Sequence, residues 1–284
     1  MQAAEHEQLL TDLGCLGLVL LGSSLALAPL IVVIARKLFP GRNVVFRRWG
    51  FSQILAAIIC STLVLLVAGY VFPVPPGQNT LVPSLVRMAC ALGAGAAFAC
   101  WSARRLEPDG LRALGFPAGR NVQALLTGLT TYALFLPGLV GLMFAWSWIL
   151  QRLAPETGMQ PVLQMALELP RAERWPAVLL GVLVIPFFEE LLFRGFLQPL
   201  LVQNLHDRPG IVLTALLFGL LHGAAAGVPI FAFALILGGL MLRTQRLAAC
   251  WGVHALHNAL VFAMVFWFPQ AAHNLQGQGL LHLF

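Results

Sequence analysis

Apolar residues fill this chain in stretches of about twenty, separated by short polar joints, rather than in the ~10-residue alternating segments of a membrane barrel. Backbone groups in lipid must be satisfied within each segment, so the pattern predicts helices. They are expected near 13–36, 50–72, 81–103, 122–150, 176–203, 209–226, 228–243 and 247–268. The joints carry chain-breaking residues: Pro40-Gly41, Pro73 to Gly77, Pro117, Pro170, Pro209-Gly210, and Gly227 with Pro229. No internal repeat is evident. The expected fold class is all-α: a polytopic membrane protein of about eight transmembrane helices around a polar intramembrane cavity.

Two joints have a pattern of their own. Residues 106–118 set Leu111, Leu114 and Phe116 among charges, as in a short amphipathic segment lying on the cytoplasmic surface. Val162, Met165, Ala166 and Leu169 recur at i, i+3, i+4 and i+7, giving 157–169 one apolar face, as a lid or an interfacial helix would have.

Composition agrees with a bilayer setting. Hydrophobic residues make up 59% of the 284 positions and charged ones 10%, against about 25% charged in soluble domains. The net charge of +6 is scattered between apolar runs, so it reads as topology and not as a nucleic-acid surface. Basic residues collect in alternate joints: Arg36, Lys37, Arg42, Arg47 and Arg48; Arg104, Arg105, Arg112 and Arg120; Arg208; Arg243 and Arg246. Arg152, Arg171 and Arg174 on the other side are offset by Glu156, Glu168 and Glu173. Cytoplasmic loops accumulate Lys and Arg, which puts both termini outside the cytoplasm. Glu5, Glu7 and Asp12 precede the first apolar run where a signal peptide would be basic, so that run is expected to be retained as a helix. Cys15, Cys60, Cys90, Cys100 and Cys250 lack metal or redox spacing and read as buried thiols.

Of the eleven acidic residues, Glu189 and Glu190 alone lie deep in an apolar helix. An ionisable group near a bilayer centre costs about 3 kcal/mol on insertion scales, so such residues usually line a pathway or a site. Arg194, one turn beyond Glu190, is placed to pair with it. Glu189 points about 100° away on the helix and is freer to exchange a proton as a general base. His222 follows Phe218 by four residues on the sixth helix, and His254, His257 and Asn258 lie on the eighth, with His254 and Asn258 sharing a face. Glu189 assisted by His222 would activate a water, and His254 with Asn258 would hold the oxyanion of an attacked peptide carbonyl. A Gly-x-Ser-x-Gly elbow is absent, so a covalent acyl-enzyme has no support.

The residues Glu189-Glu190-Leu191-Leu192-Phe193-Arg194, then Phe218 to His222, then His254 to Asn258 resemble the Glu-Glu-x-x-x-Arg, Phe-x-x-x-His and His-x-x-x-Asn motifs of the type 2 CAAX prenyl protease and Abi, or CPBP, intramembrane endopeptidases. The resemblance runs from Pro186 to Asn258. It implies Glu189 as the water-activating base, His222 as its helper, His254 and Asn258 as the oxyanion pocket, and Glu190 with Arg194 as a supporting pair. It further implies a multi-pass protein of a bacterial inner membrane, acting on a prenylated, lipidated or membrane-anchored protein or peptide. Helices and a connector over 1–120 would precede a catalytic core over 121–284, within one membrane unit.

The family also carries a metalloprotease label. Glu189, His222 and His254 would be the ligands of a zinc site, although the His-Glu-x-x-His helix is absent, and a metal-free glutamate mechanism with no cofactor is the first expectation. A proton-coupled transporter and a non-catalytic scaffold or immunity protein are the rival readings. Glu190 and Arg194 also fit a purely structural pair, and His257 a packing residue. Arg87 either snorkels or lines the site, and His206, His273 and His282 fall in loop or tail. His254 sits shallow from the cytoplasmic end whereas His222 lies near the outer end of its helix, so the site requires tilted or kinked helices.

Overall fold

The computed structural model of the chain describes residues 15–26, 29, 33, 46–73, 80–153 and 161–268, with side chains described from residue 164 in the last stretch. Glu5, Glu7, Asp12, Arg36, Lys37, Arg42, Glu156, His273 and His282 lie outside the described residues, as do the far part of the first expected helix, residues 157–160 and the side chain of Val162.

The chain folds into helices α1 (Cys15–Ala26), α2 (Phe51–Val71), α3 (Leu81–Leu106), α4 (Asn121–Leu153), α5 (Pro161–Leu167), α6 (Arg171–Leu205), α7 (Asp207–Leu221), α8 (Gly223–Thr244) and α9 (Leu247–Trp267). It is an all-α polytopic membrane protein. Among the described residues six helices, α2, α3, α4, α6, α8 and α9, are long and apolar enough to cross a bilayer. The expected eight comparable spans are not all seen: the described part of α1 is shorter, and the 15 residues of α7 reach about 22 Å at 1.5 Å per residue, short of a ~30 Å hydrocarbon core.

Large side chains point outward and small ones inward, as association in lipid requires. Leu55, Ile58, Leu63, Leu66 and Val67 of α2 are exposed, whereas α3 buries Ala91, Gly95, Ala96, Ala99, Ser102 and Ala103. On Gly128 of α4 a Cβ would lie 2.7 Å from the Ala249 carbonyl oxygen of α9. On Gly195 of α6 it would lie 2.7 Å from the Leu114 carbonyl oxygen. Both contacts are backbone against side-chain-free surface, which only glycine permits.

The connector between α3 and α4 departs from its expected place on the membrane surface. Its Gly110–Leu114 forms a 3-10 turn, and Ala113 and Leu114 are buried in the cluster holding Trp49, Phe196, Leu200 and Leu247. The Leu247 N–H donates to the Gly115 carbonyl at 2.9 Å, which ties the connector to the start of α9. Spacing alone showed one apolar face; the face meets the bundle rather than lipid. Upstream of α2, the buried Trp49 donates its indole N–H to the Phe196 carbonyl of α6 at 3.0 Å.

Arg87 caps α2: its guanidinium donates to the Phe72 carbonyl from Nε at 2.9 Å and from Nη2. Of the five cysteines, all free, Cys250 is buried and Cys15 and Cys90 are exposed, so the expectation of uniformly buried thiols holds for Cys250 alone; in a bilayer the outward thiols meet lipid instead. His206 is exposed in the turn between α6 and α7, with φ 67°.

Gly128→Leu is expected to lower stability by about 1–3 kcal/mol through overpacking. Gly69→Leu, where a side chain meets open space, should change it by less than about 0.5 kcal/mol. Thermal denaturation of both variants in detergent checks the contrast; equal midpoints would contradict the packing described.

Candidate active site

The candidate site is built on α6, which is not a uniform α-helix. Leu179–Val184 and Leu191–Leu197 are π-helical turns, and they bracket the α-helical Ile185–Glu190. Each turn ends one residue before a residue pair closed by proline, Ile185-Pro186 and Gln198-Pro199. A proline has no N–H and its ring collides with the carbonyl four residues back. A wide turn moves that carbonyl aside: Ile185 N–H reaches back five residues to Leu180, and Gln198 N–H five residues to Phe193. Single π turns of this kind recur at functional sites.

The wide turns leave carbonyls that other helices must satisfy. With Ile185 committed to Leu180 and Pro186 lacking a donor, the Gly181 carbonyl has no partner at i+4 or i+5. The Asn258 amide of α9 donates to it at 2.8 Å. The Trp251 indole donates to the Leu183 carbonyl at 3.0 Å, and Trp49 to Phe196, as above. Asn258 thus clamps α6 where its own ladder fails, and two tryptophans bond to carbonyls nearby.

Between the two turns lies a buried chain of charge. Glu190 and Arg194 are both fully buried, with Nε and Oε2 at 3.3 Å, a close ion pair rather than an aligned hydrogen bond. The Arg194 guanidinium lies 4.5 Å from the Phe218 ring centroid and 5.9 Å from that of Phe193, so its faces are stabilised by aromatic quadrupoles. His254 Nδ1 is 2.9 Å from Glu190 Oε1, and His254 Nε2 is 3.8 Å from Glu189 Oε2. One imidazole therefore bridges the two carboxylates.

His222 caps the carboxyl end of α7, immediately before Gly223 with φ 75° opens α8. Its Nδ1 is 2.7 Å from the Phe218 carbonyl. A carbonyl only accepts, so Nδ1 carries the proton and a neutral His222 keeps its lone pair on Nε2. His257 Nδ1 is 2.9 Å from the Tyr132 hydroxyl, and its ring stacks on Phe233 at 4.6 Å.

Glu189, His222, His254, His257 and Asn258 all line one cavity of about 180 Å3, whose remaining walls include Leu85, Met88, Phe218, Phe233 and Phe262. Because α7 is short and turns back at His222-Gly223, its end reaches this cavity instead of the far face, which removes the depth mismatch expected from the sequence. Ala166, near the carboxyl end of α5, also lines it, and Ala166 and Leu169 are buried.

Sequence reasoning assigned no task to Phe218, Phe233, Tyr132, Trp251 or Gly181. Phe218 is 1% exposed and contacts Phe193, His222, His254 and Arg194. It is the hub through which the motifs touch. Tyr132 had a signal: it is one of two tyrosines and the polar end of an otherwise apolar stretch of α4.

As placed, no three His, Cys, Asp or Glu side chains among the described residues form a metal-ligand group.

Removing Arg194 leaves Glu190 buried without its cation. Arg194→Ala is expected to cost about 3–5 kcal/mol. A Glu190→Gln/Arg194→Met double variant should cost less than the single one, because no charge is stranded. Detergent melting of the two checks the order; a double variant no more stable than Arg194→Ala would contradict it.

Residues 171–260 match the model of the Rce1-like family, described as type II CAAX prenyl endopeptidase. No curated protein and no solved structure matches the chain. The matched residues hold both glutamates, Arg194, His222, His254, His257 and Asn258, and over this third of its length the chain is similar to the type II CAAX prenyl endopeptidases of the Rce1-like kind.

Proposed function

We propose that the chain is an intramembrane endopeptidase that hydrolyses a peptide bond with water activated by Glu189, without a covalent intermediate. The observation that carries this reading is the convergence of Glu189, His222 and His254, from α6, the α7 end and α9, on one cavity inside an apolar bundle.

In this reading Glu189 takes a proton from water while the His222 Nε2 lone pair accepts a hydrogen bond from the other O–H and aims the lone pair of the oxygen. The water oxygen bonds to the peptide carbonyl carbon, and negative charge develops on the carbonyl oxygen. His254, in its doubly protonated form with Nδ1–H held by Glu190, donates to that oxygen from Nε2, and the second N–H of Asn258, whose first is on Gly181, does the same. Collapse breaks the carbon–nitrogen bond, and Glu189 returns its proton to the leaving amine. Arg194 balances Glu190 throughout, so the dry site keeps no uncompensated fixed charge.

The family name indicates the substrate class: a protein with a prenylated cysteine three residues before its carboxy terminus. The apolar cavity walls contributed by Leu85, Met88 and Phe262 suit a lipid-bearing or membrane-anchored chain. The test is cleavage, by protein purified in detergent, of a fluorogenic peptide bearing a prenylated cysteine followed by three residues, beside a set of single-span membrane peptides, with and without chelator.

Glu189→Gln is expected to lower kcat by about 10²–10⁴-fold with an unchanged elution profile in detergent, and His222→Ala to lower it in the same range. Wild-type rates in either variant would overturn the assignment. Chelator is expected to leave the wild-type rate unchanged, and complete inhibition restored by added zinc would overturn the metal-free step.

A further inference from the structure

We infer that His257 is a further catalytic hydrogen-bond donor, and that Tyr132 is the positioning residue that fixes the proton on its cavity-facing nitrogen. This deepens the proposed peptide hydrolysis and rests on it.

Tyr132 is 2% exposed in the middle of α4, and a buried phenol requires an acceptor for its O–H. Among the described residues its hydrogen-bond partner is His257 Nδ1, at 2.9 Å. The hydroxyl proton therefore points at Nδ1, which must hold a lone pair, and a neutral His257 carries its own proton on Nε2. That nitrogen has no hydrogen-bond partner among the described residues, and His257 lines the same cavity as Glu189.

The orientation is fixed twice more. Phe233 stacks on the His257 ring at 4.6 Å with 27° between planes, and the Tyr132 ring meets it edge-on at 88°. An imidazole that merely packed would need neither a fixed tautomer nor an unpaired N–H facing a cavity. The other donors on this wall are partly committed: His254 Nδ1 to Glu190 and one N–H of Asn258 to Gly181. His257 Nε2–H is the donor with no competing acceptor.

The roles of His222 and His257 are then complementary. His222 presents a lone pair to the water, because Phe218 holds its Nδ1 proton; His257 presents a proton to the carbonyl oxygen, because Tyr132 fills its Nδ1 lone pair. No covalent bond to His257 forms, and its proton stays on nitrogen through the cycle.

The experiment uses the full-length protein in detergent with the prenylated fluorogenic peptide and a phosphinate analogue of that peptide as a tetrahedral anion. His257→Ala is expected to lower kcat by about 10²–10³-fold, to leave KM within about two-fold, and to weaken phosphinate inhibition by a similar factor to kcat. His257→Gln, whose amide N–H reaches a similar place, should recover part of the loss. Tyr132→Phe should lower kcat without changing KM, and weaken the phosphinate in step. Phosphinate affinity is the readout a packing role would not move. Should His257→Ala fail to fold, His257→Gln and Tyr132→Phe carry the same comparison. Variants at wild-type kcat and phosphinate affinity, beside an inactive Glu189→Gln, would overturn the inference alone. A wild-type protein that cleaves no peptide would overturn it together with the proposed hydrolysis.

Discussion

A carboxylate in an apolar bundle must be neutralised where it stands, and the rest of this structure is arranged around doing so for Glu190. The pair with Arg194 at 3.3 Å is not enough by itself, since two desolvated ions are repaid only when further contacts satisfy them. The additional contacts come from other helices. Phe218 of α7 lies against the guanidinium, and His254 of α9 donates to the free carboxylate oxygen. Three helices are thus held together by one charge, and the residue this fixes most firmly is His254, whose second nitrogen is thereby turned toward Glu189.

The two π turns solve a second problem. Glu189 must face a cavity while Glu190, its neighbour, is sealed away. Proline at 186 and 199 widens the helix on either side of the pair, and each widening frees a carbonyl. In lipid a free carbonyl is costly, so it recruits a donor. Asn258 of α9 answers the first turn at Gly181, and Trp251 and Trp49 bond to carbonyls beside the two turns. The broken hydrogen-bond ladder of α6 at Gly181 is therefore also a means by which α9 is placed against it.

Much of this was legible in the sequence because lipid makes polar residues expensive. Apolar windows located the long helices to within a few residues, and Glu189, Glu190, Arg194, His222, His254 and Asn258 stood out as the polar exceptions in three of them. What the windows missed has physical causes. A stretch running on to Gly227 concealed the break at His222-Gly223, because alanine and glycine there are as apolar as a helix interior. The connector at 110–114 carries the same amphipathic signature whether it lies on lipid or plugs a bundle; only the facing surface decides, and that comes from Trp49 and Leu247. The π turns leave no mark on hydropathy, although Pro186 and Pro199 marked where the ladder had to fail. Asn258 was read from spacing as a donor to substrate, and spacing does not reveal that one of its protons is required by Gly181.

The protonation pattern of the cavity follows from elements that never touch substrate. Each of the three imidazoles has its Nδ1 engaged, but by a different kind of partner: a backbone carbonyl for His222, a carboxylate for His254, a phenol for His257. Carbonyl and carboxylate can only accept, so they hold a proton on Nδ1; the phenol has a proton of its own to place, so it displaces the histidine's proton to Nε2. Identical side chains around the same cavity of about 180 Å3 consequently hold their protons in different ways. A site assembled from histidines alone would have no reason to keep these states apart. Here they are separated by a helix end, a buried ion pair and one tyrosine on α4, each of which exists for the packing of the bundle as much as for chemistry.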